Sequence, residues 1–98
     1  MNIQKKLNDA VLTLTLNGML DTATSPMLSE VVENELTGVH QLVLDCAALE
    51  YVSSAGLRVI LTAQDIMDEQ GKMKVIHVND AVMEIFEITG LVDLLTIE

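Results

Sequence analysis

The second half of the chain alternates between apolar runs typical of strands and amphipathic segments typical of helices, which limits the folds open to it. From Gln41 onward the apolar runs are short, and the segments between them carry apolar residues at helical spacing. Such an order predicts parallel strands joined by right-handed helical crossovers. We expect strands at residues 41–46, 72–78 and 92–97, and helices at residues 54–70 and 80–89.

The first half adds two strands and a helix. Alternating leucines predict a strand at residues 10–16 with one apolar face, and a partner strand at 3–7 precedes it. Thr24-Ser25-Pro26 is typical of a helix start, and Gly38 ends the periodic pattern that follows. The predicted fold is a single α/β domain over residues 1–98, with a mixed four- to five-stranded sheet and helices packed mainly on one face.

The acidic composition excludes several classes of function. The 98 residues include 15 acidic and 5 basic side chains, for a formal net charge of −10, and such a surface repels nucleic acid and anionic membrane. No apolar run approaches the roughly 18 residues of a membrane span, and the first six residues lack the apolar core of a signal peptide. We expect a cytoplasmic protein with no nucleic-acid partner and no direct membrane insertion, which contacts a basic protein face.

Few side chains point to catalytic or metal chemistry. Cys46 is the single cysteine, so it forms no disulfide within the chain, and we expect a small buried apolar residue. His40 and His77 are expected to be structural, with His77 inside a strand. There is no glycine-rich phosphate loop and no cluster with metal-ligand spacing. We therefore predict no cofactor, no metal and no catalytic residue.

Two adjacent serines precede the strongest predicted helix. Helix starts gather at the carboxyl edge of a parallel sheet, where we expect the loops 17–25, 47–53 and 79–80 to meet. Ser53 or Ser54 is expected to cap the helix, and only one of them can. Ser54 would then lie in the first turn with its hydroxyl outward, on a polar stripe that continues through Arg58, Thr62, Asp65 and Glu69.

A phosphate on Ser54 would be stabilised by its surroundings. Free N–H groups and the positive end of the helix dipole favour an anion at this position. Arg58, the one arginine in the chain, lies one turn along. Phosphorylation adds a charge of about −1.5 to −2. Because the helix start tolerates that charge, we expect the domain to stay folded and the modification to act at a docking surface.

Several segments resemble a known family. Leu42-Val-Leu-Asp45 is followed by Leu49-Glu-Tyr-Val-Ser-Ser-Ala-Gly-Leu-Arg-Val-Ile-Leu61, with Gly18-Met-Leu-Asp21 upstream and a helix with a glycine-leucine end at 79–91. Together they span nearly the whole chain and resemble the STAS domains of bacterial anti-sigma factor antagonists.

The resemblance implies a partner switch. In this family the dephosphorylated domain binds an anti-sigma factor serine kinase, which releases the sigma factor; the kinase phosphorylates a serine of the central motif, and a serine phosphatase reverses this. The matching acceptor is Ser54, with Ser53 as second choice, although many members carry Asp where Ser53 stands. The resemblance also places Asp21 and Asp45 near the acceptor. The predicted partner-binding residues are Asp21, Asp45, Ser53, Ser54, Gly56, Arg58 and Thr62.

Alternatives remain open at this stage. The alternative role for Asp21 and Asp45 is that each side chain only caps a turn. The chain also fits a STAS subunit of a membrane transport complex that docks on an ATPase, since this uses the same fold and edge. An enzyme with a serine nucleophile needs a general base beside Ser54, and no His or Lys lies in that loop. We therefore predict that the protein is not an enzyme.

Overall fold

Four strands form one sheet in chain order: β1 (Asn2–Asn8), β2 (Val11–Leu20), β3 (Gln41–Val52) and β4 (Lys72–Ile76). β1 is antiparallel to β2, whereas the β2–β3 and β3–β4 pairs are parallel. The crossovers are helices α1 (Ser25–Asn34) and α2 (Ser54–Gln70), and helix α3 (Asp80–Thr89) and a 3-10 helix (Leu91–Asp93) follow. The computed structural model describes residues 1–98. It confirms the predicted α/β class and mixed sheet.

One face of the sheet supplies the core. The alternating leucines of β2 are almost completely buried, while the residues between them stay partly exposed. The register places these leucines level with buried residues of β3 and β4. Each helix adds to the same buried cluster, for example through Val32, Ile60 and Phe86. The prediction that the helices pack mainly on one face is confirmed.

Helices α2 and α3 begin and end where the sequence predicts. α2 ends at Gly71, whose amide donates to the carbonyl of Met67. The Asn79 side chain caps α3 by accepting the N–H of Val82 at 2.9 Å. Gly90 ends α3 with a φ of 79°, a left-handed conformation that glycine adopts without strain.

Strand β3 is longer than predicted. We expected a loop at 47–53, but residues 47–52 belong to the strand, so that prediction is wrong for all but Ser53. From Asp45 to Val52 the strand advances seven residues, while its partner β2 advances five, from Thr15 to Leu20. The two extra residues are bulges, which keep the strands paired. They replace the two-residue alternation with buried side chains three apart, at Cys46, Leu49 and Val52. This spacing explains why the pattern did not indicate a strand.

The predicted final strand at 92–97 is also wrong. Leu91 and Leu95 are buried, four residues apart, while Val92 and Leu94 are exposed. That spacing fits a helical turn and not a strand. What remains of the expected strand is one isolated parallel bridge between Ile97 and Val75.

Strand β4 ends at Ile76, two residues earlier than predicted. His77 has a φ of 58°, a left-handed conformation that takes the chain out of the sheet. The prediction that His77 lies inside a strand is therefore wrong. No helix of the structure is both long and apolar enough to cross a membrane.

Candidate functional site at the start of helix α2

Ser53 and Ser54 divide two roles at the start of α2. Ser53 is the N-cap, with extended backbone, and its Oγ accepts the N–H of Gly56 at 3.3 Å. Ser54 is the first helical residue and its side chain is exposed. The capping bond is therefore made by Ser53, and the Ser54 hydroxyl is accessible from solvent. The predictions of one capping serine and an exposed Ser54 are both confirmed.

Close packing fixes where this helix begins. Gly56 is buried, and a Cβ on it would lie 2.7 Å from Leu20 Cγ and 2.8 Å from the Leu20 carbonyl oxygen. The amide of Ser53 donates to that same carbonyl at 2.8 Å. Gly56, which we predicted to be a partner contact, is thus packed against Leu20 and positions the start of the helix.

The amide groups next to the Ser54 hydroxyl are available to an anion. The first intrahelical bond runs from the N–H of Leu57 to the carbonyl of Ser53, and Ser53 Oγ occupies the N–H of Gly56. This leaves the N–H groups of Ser54 and Ala55 without helical partners, as at any helix start. Together with the helix dipole they favour negative charge at this position.

Arg58 and Thr62 continue the exposed side of α2. Both side chains are exposed, and they follow Ser54 at intervals of four residues, which places all three on one face of the helix. The Thr62 hydroxyl donates to the carbonyl of Arg58 at 2.9 Å, so it is held against the helix. Arg58 is thus the cation of this face.

Asp21 shapes the turn between β2 and α1. Its Oδ1 accepts the N–H groups of Ala23 and Thr24, each at 3.0 Å. The Thr24 hydroxyl accepts the N–H of Asp21 at 2.9 Å and donates to the carbonyl of Met19 at 2.7 Å. The N–H of Thr24, with smaller contributions from its hydroxyl and from Ala23, lowers the pKa of Asp21 below its ordinary value of 3.8. Asp21 therefore has the turn-closing role that the sequence left open.

Asp45 is held by a different set of partners. Its Oδ1 accepts the N–H of Ala47 at 3.1 Å and lies 3.0 Å from Nδ1 of His77. Desolvation acts to raise the pKa of Asp45, but the hydrogen bonds from Ala47 and His77 outweigh it and lower the pKa. His77 itself is 63% exposed. The sequence did not indicate this contact, because it placed His77 inside a strand.

The structure brings Asp21 beside the serines but leaves Asp45 apart from them. Leu20 pairs with Val52 across the β2–β3 ladder. Asp21 follows Leu20 and Ser53 follows Val52, so the two residues leave the sheet side by side. Asp45 pairs with Thr15, five β2 residues earlier, which corresponds to about 16 Å along the strand. The prediction that Asp45 lies near the acceptor is wrong, because the bulged extension of β3 carries the serines away from it.

Two apolar side chains beside the serines were missed by the sequence analysis. Met19 pairs with Tyr51, and they are 48% and 43% exposed. They alternate with the buried pair Leu20 and Val52, so they point to the opposite face of the sheet. The exposed Tyr within the central motif was the one signal available in the sequence.

Cys46 is buried, as predicted. Burial, with a smaller contribution from the negative charge of Asp45, raises the pKa of the Cys46 thiol to about 12. At neutral pH it is protonated and therefore a poor nucleophile. No group of three or more His, Cys, Asp or Glu side chains is arranged to hold a metal ion.

Comparisons with known proteins identify relatives over almost the whole chain. A family model described as STAS domain matches residues 2–98. BtrV of Bordetella bronchiseptica, whose name assigns it to the anti-sigma factor antagonists, is 34% identical over 88 residues, which cover 88% of this chain and 76% of that protein.

Solved structures show the same fold. An anti-sigma factor antagonist from Mycobacterium paratuberculosis has a TM-score of 0.88 at 21% identity and covers 98% of this chain and 83% of its own. The phosphorylated form of the Bacillus cell fate determinant SpoIIAA has a TM-score of 0.69 at 14% identity, with coverages of 99% and 91%. At these identities the likeness concerns the fold alone.

Proposed function

The chain belongs to the STAS domain family, and we propose that it is an anti-sigma factor antagonist switched by phosphorylation of Ser54. The dephosphorylated form binds an anti-sigma factor serine kinase and so releases the sigma factor. Phosphorylation of Ser54 abolishes this binding, and a serine phosphatase restores it. In this proposal the protein acts in the cytoplasm and is a substrate of the kinase, not an enzyme itself.

The observation that carries the proposal is the division of roles between the two serines. Ser53 makes the capping bond with Gly56, while Ser54 is exposed at the first helical position. Ser53 is only partly exposed and the Gly56 amide already engages its Oγ, whereas the Ser54 hydroxyl makes no bond of the cap and is open to a kinase. Ser54 is therefore the better acceptor on structural grounds.

The surroundings of Ser54 support a switch that acts on association. Asp21, Arg58 and Thr62 share the edge of the domain with it, and we propose that the kinase contacts these residues and Ser53. A phosphate placed among them adds charge and bound water to a surface that the kinase must cover. The domain keeps its core, because the Ser54 side chain that would carry the phosphate is exposed.

The acceptor is tested by incubating the protein with its anti-sigma factor kinase and ATP and locating the phosphate by mass spectrometry. We expect a single phosphate on Ser54, none on the Ser54→Ala variant, and unchanged modification of a Thr37→Ala control, because Thr37 is exposed between α1 and β3, at the opposite edge of the sheet. A phosphate on Ser53 would contradict the acceptor assignment. A chain that stays unmodified would instead favour the alternative of a STAS subunit that docks on the ATPase of a transport complex.

A further inference from the structure

Strands β2 and β3 extend beyond their neighbours and form a two-stranded ribbon that leads to the start of α2. β1 pairs with β2 no further than Asn17, and β4 pairs with β3 no further than Asp45. β2 and β3 continue as a pair to Leu20 and Val52. We call this extension the ribbon, residues 17–20 and 47–52. Both of its strands run directly into the candidate site.

The ribbon buries one side and exposes apolar side chains on the other. Leu20 and Val52 belong to the core that the helices cover. Met19 and Tyr51 alternate with them, so they point away from the helices, and nearly half of each side chain is exposed. The register pairs Met19 with Tyr51. The two side chains therefore lie side by side as one apolar surface, the Met19–Tyr51 pair.

Backbone contacts hold this pair in position. The Thr24 hydroxyl donates to the carbonyl of Met19 at 2.7 Å and lies 3.1 Å from Asp21 Oδ1, so Met19 is tied to the turn that Asp21 closes. A bulge in β3 between Leu49 and Tyr51 sets Tyr51 opposite Met19, and bulges commonly re-aim side chains beside functional sites. A surface that is ordered before binding loses little conformational entropy when a partner covers it.

The composition of the ribbon is typical of the centre of a protein interface. Charged residues make up 20% of the whole chain, but Glu50 is the single charged residue of the ribbon. Interface centres are depleted in charged residues and enriched in Tyr and Met. Tyr is also among the residues whose truncation weakens binding most. The Met19–Tyr51 pair therefore has the chemistry of an anchor for an apolar pocket on a partner.

The pair is close enough to Ser54 to be covered by the same partner. Tyr51 precedes Ser54 by three residues, so their Cα atoms are at most about 11 Å apart. A protein interface of ordinary size buries about 800 Å² on each partner, which corresponds to a patch about 30 Å across. An interface centred on Ser54 therefore extends to the Met19–Tyr51 pair.

We infer that the Met19–Tyr51 pair is the apolar anchor by which the anti-sigma factor kinase holds this domain while Ser54 faces its active site. The inference rests on the proposed function, because it takes that kinase as the partner of this edge. Apolar pairs across strands also stabilise a sheet, and that role alone would change Tm. An anchor instead changes the concentration at which the kinase recognises the domain.

The rate at which the kinase phosphorylates Ser54 at increasing concentrations of the full chain tests the anchor. Met19→Thr/Tyr51→Thr removes the apolar surface but keeps residues that favour strands. We expect its KM to rise at least about tenfold and its kcat to stay within about twofold, because an anchor binds ground state and transition state alike. Tyr51→Phe keeps the aromatic ring, and its KM should stay within about twofold of the wild-type value.

Leu7→Thr is the matched control. Leu7 is an apolar strand residue that is 65% exposed, but it pairs with Leu12, seven residues before Met19, which corresponds to about 23 Å along β2. We expect its KM to change by less than about twofold. If the double variant melts below the assay temperature, Tyr51→Thr alone replaces it, with the same expected rise in KM.

The outcomes separate the anchor from the switch. If Ser54 is phosphorylated in the wild type and the folded Thr variant has an unchanged KM, the anchor is refuted and the proposed function stands. A wild type that the kinase neither binds nor phosphorylates would overturn the proposed function and the anchor with it. A wild type that sediments as a dimer, with a monomeric Thr variant, would assign the pair to a second copy of this chain and overturn the inference.

Discussion

Ser53 and Ser54 show how two identical side chains acquire different roles from one position in a helix. The residue before the first turn has extended backbone, so its hydroxyl reaches back to the N–H three residues later. The next residue already has helical backbone, and its side chain points away from that amide into solvent. The difference between a structural serine and a modifiable one is therefore a difference of one position.

This division predicts opposite effects on stability. Ser53→Ala removes the acceptor for the Gly56 amide, and we expect the free energy of unfolding to fall by about 1 kcal/mol, which lowers Tm by about 4–8 °C in a domain of this size. Ser54→Ala removes no hydrogen bond of the cap and should change Tm by less than about 2 °C. Thermal unfolding followed by circular dichroism measures both. A larger loss for Ser54→Ala than for Ser53→Ala would contradict the assigned roles.

Among the elements, the turn between β2 and α1 is held by one carboxylate. Asp21 Oδ1 receives two backbone N–H groups and orders the chain directly before Ser25, whose amide donates to the Asp21 carbonyl at 2.7 Å. These bonds are stronger to the charged carboxylate than to its neutral form, which is why the pKa of Asp21 is lowered. The turn is therefore sensitive to acid.

A pH series on Asp21→Asn tests this turn. The lowered pKa means that the charged carboxylate stabilises the fold fully above its ordinary pKa of 3.8, and that this stabilisation is lost as the pH falls through the lower pKa of the folded state. We expect the wild type to be more stable than Asp21→Asn near pH 6 and the difference to shrink below about pH 4. Asp65→Asn, on the exposed side of α2, controls for the loss of one charge. A wild-type advantage that persists or grows in acid would contradict the role given to Asp21.

The elements also show what a sequence can and cannot predict. α2 and α3 were predicted at their full lengths, because capping side chains and glycines mark their ends. The extension of β3 was missed, because two bulges change the spacing of its buried residues. The distance between Asp45 and Ser54 follows from that extension, and the contact of Asp45 with His77 follows from the pairing of Asp45 with Ile76, directly before His77. They depend on pairing between strands, which periodicity within one strand does not report.

For the whole molecule, the distribution of charge separates two surfaces. The net charge is −10. The four lysines lie on β1 and β4, while Arg58 on α2 is the basic residue near Ser54. A phosphate on Ser54 therefore adds negative charge to a molecule that is already strongly acidic. Because complementary charge governs the rate of association and the exclusion of wrong partners, we expect the modification to act on docking and to leave the fold as it is.

The affinity of the anti-sigma factor kinase for the two forms of the protein tests this account most directly. Calorimetric titration of unphosphorylated and Ser54-phosphorylated protein should show binding at least about tenfold weaker for the phosphorylated form, a difference of about 1.4 kcal/mol or more. The Tm values of the two forms should agree within about 3 °C, because the phosphate lies outside the core. Equal affinity for both forms, or a phosphorylated protein that has lost its fold, would contradict a switch that acts on association.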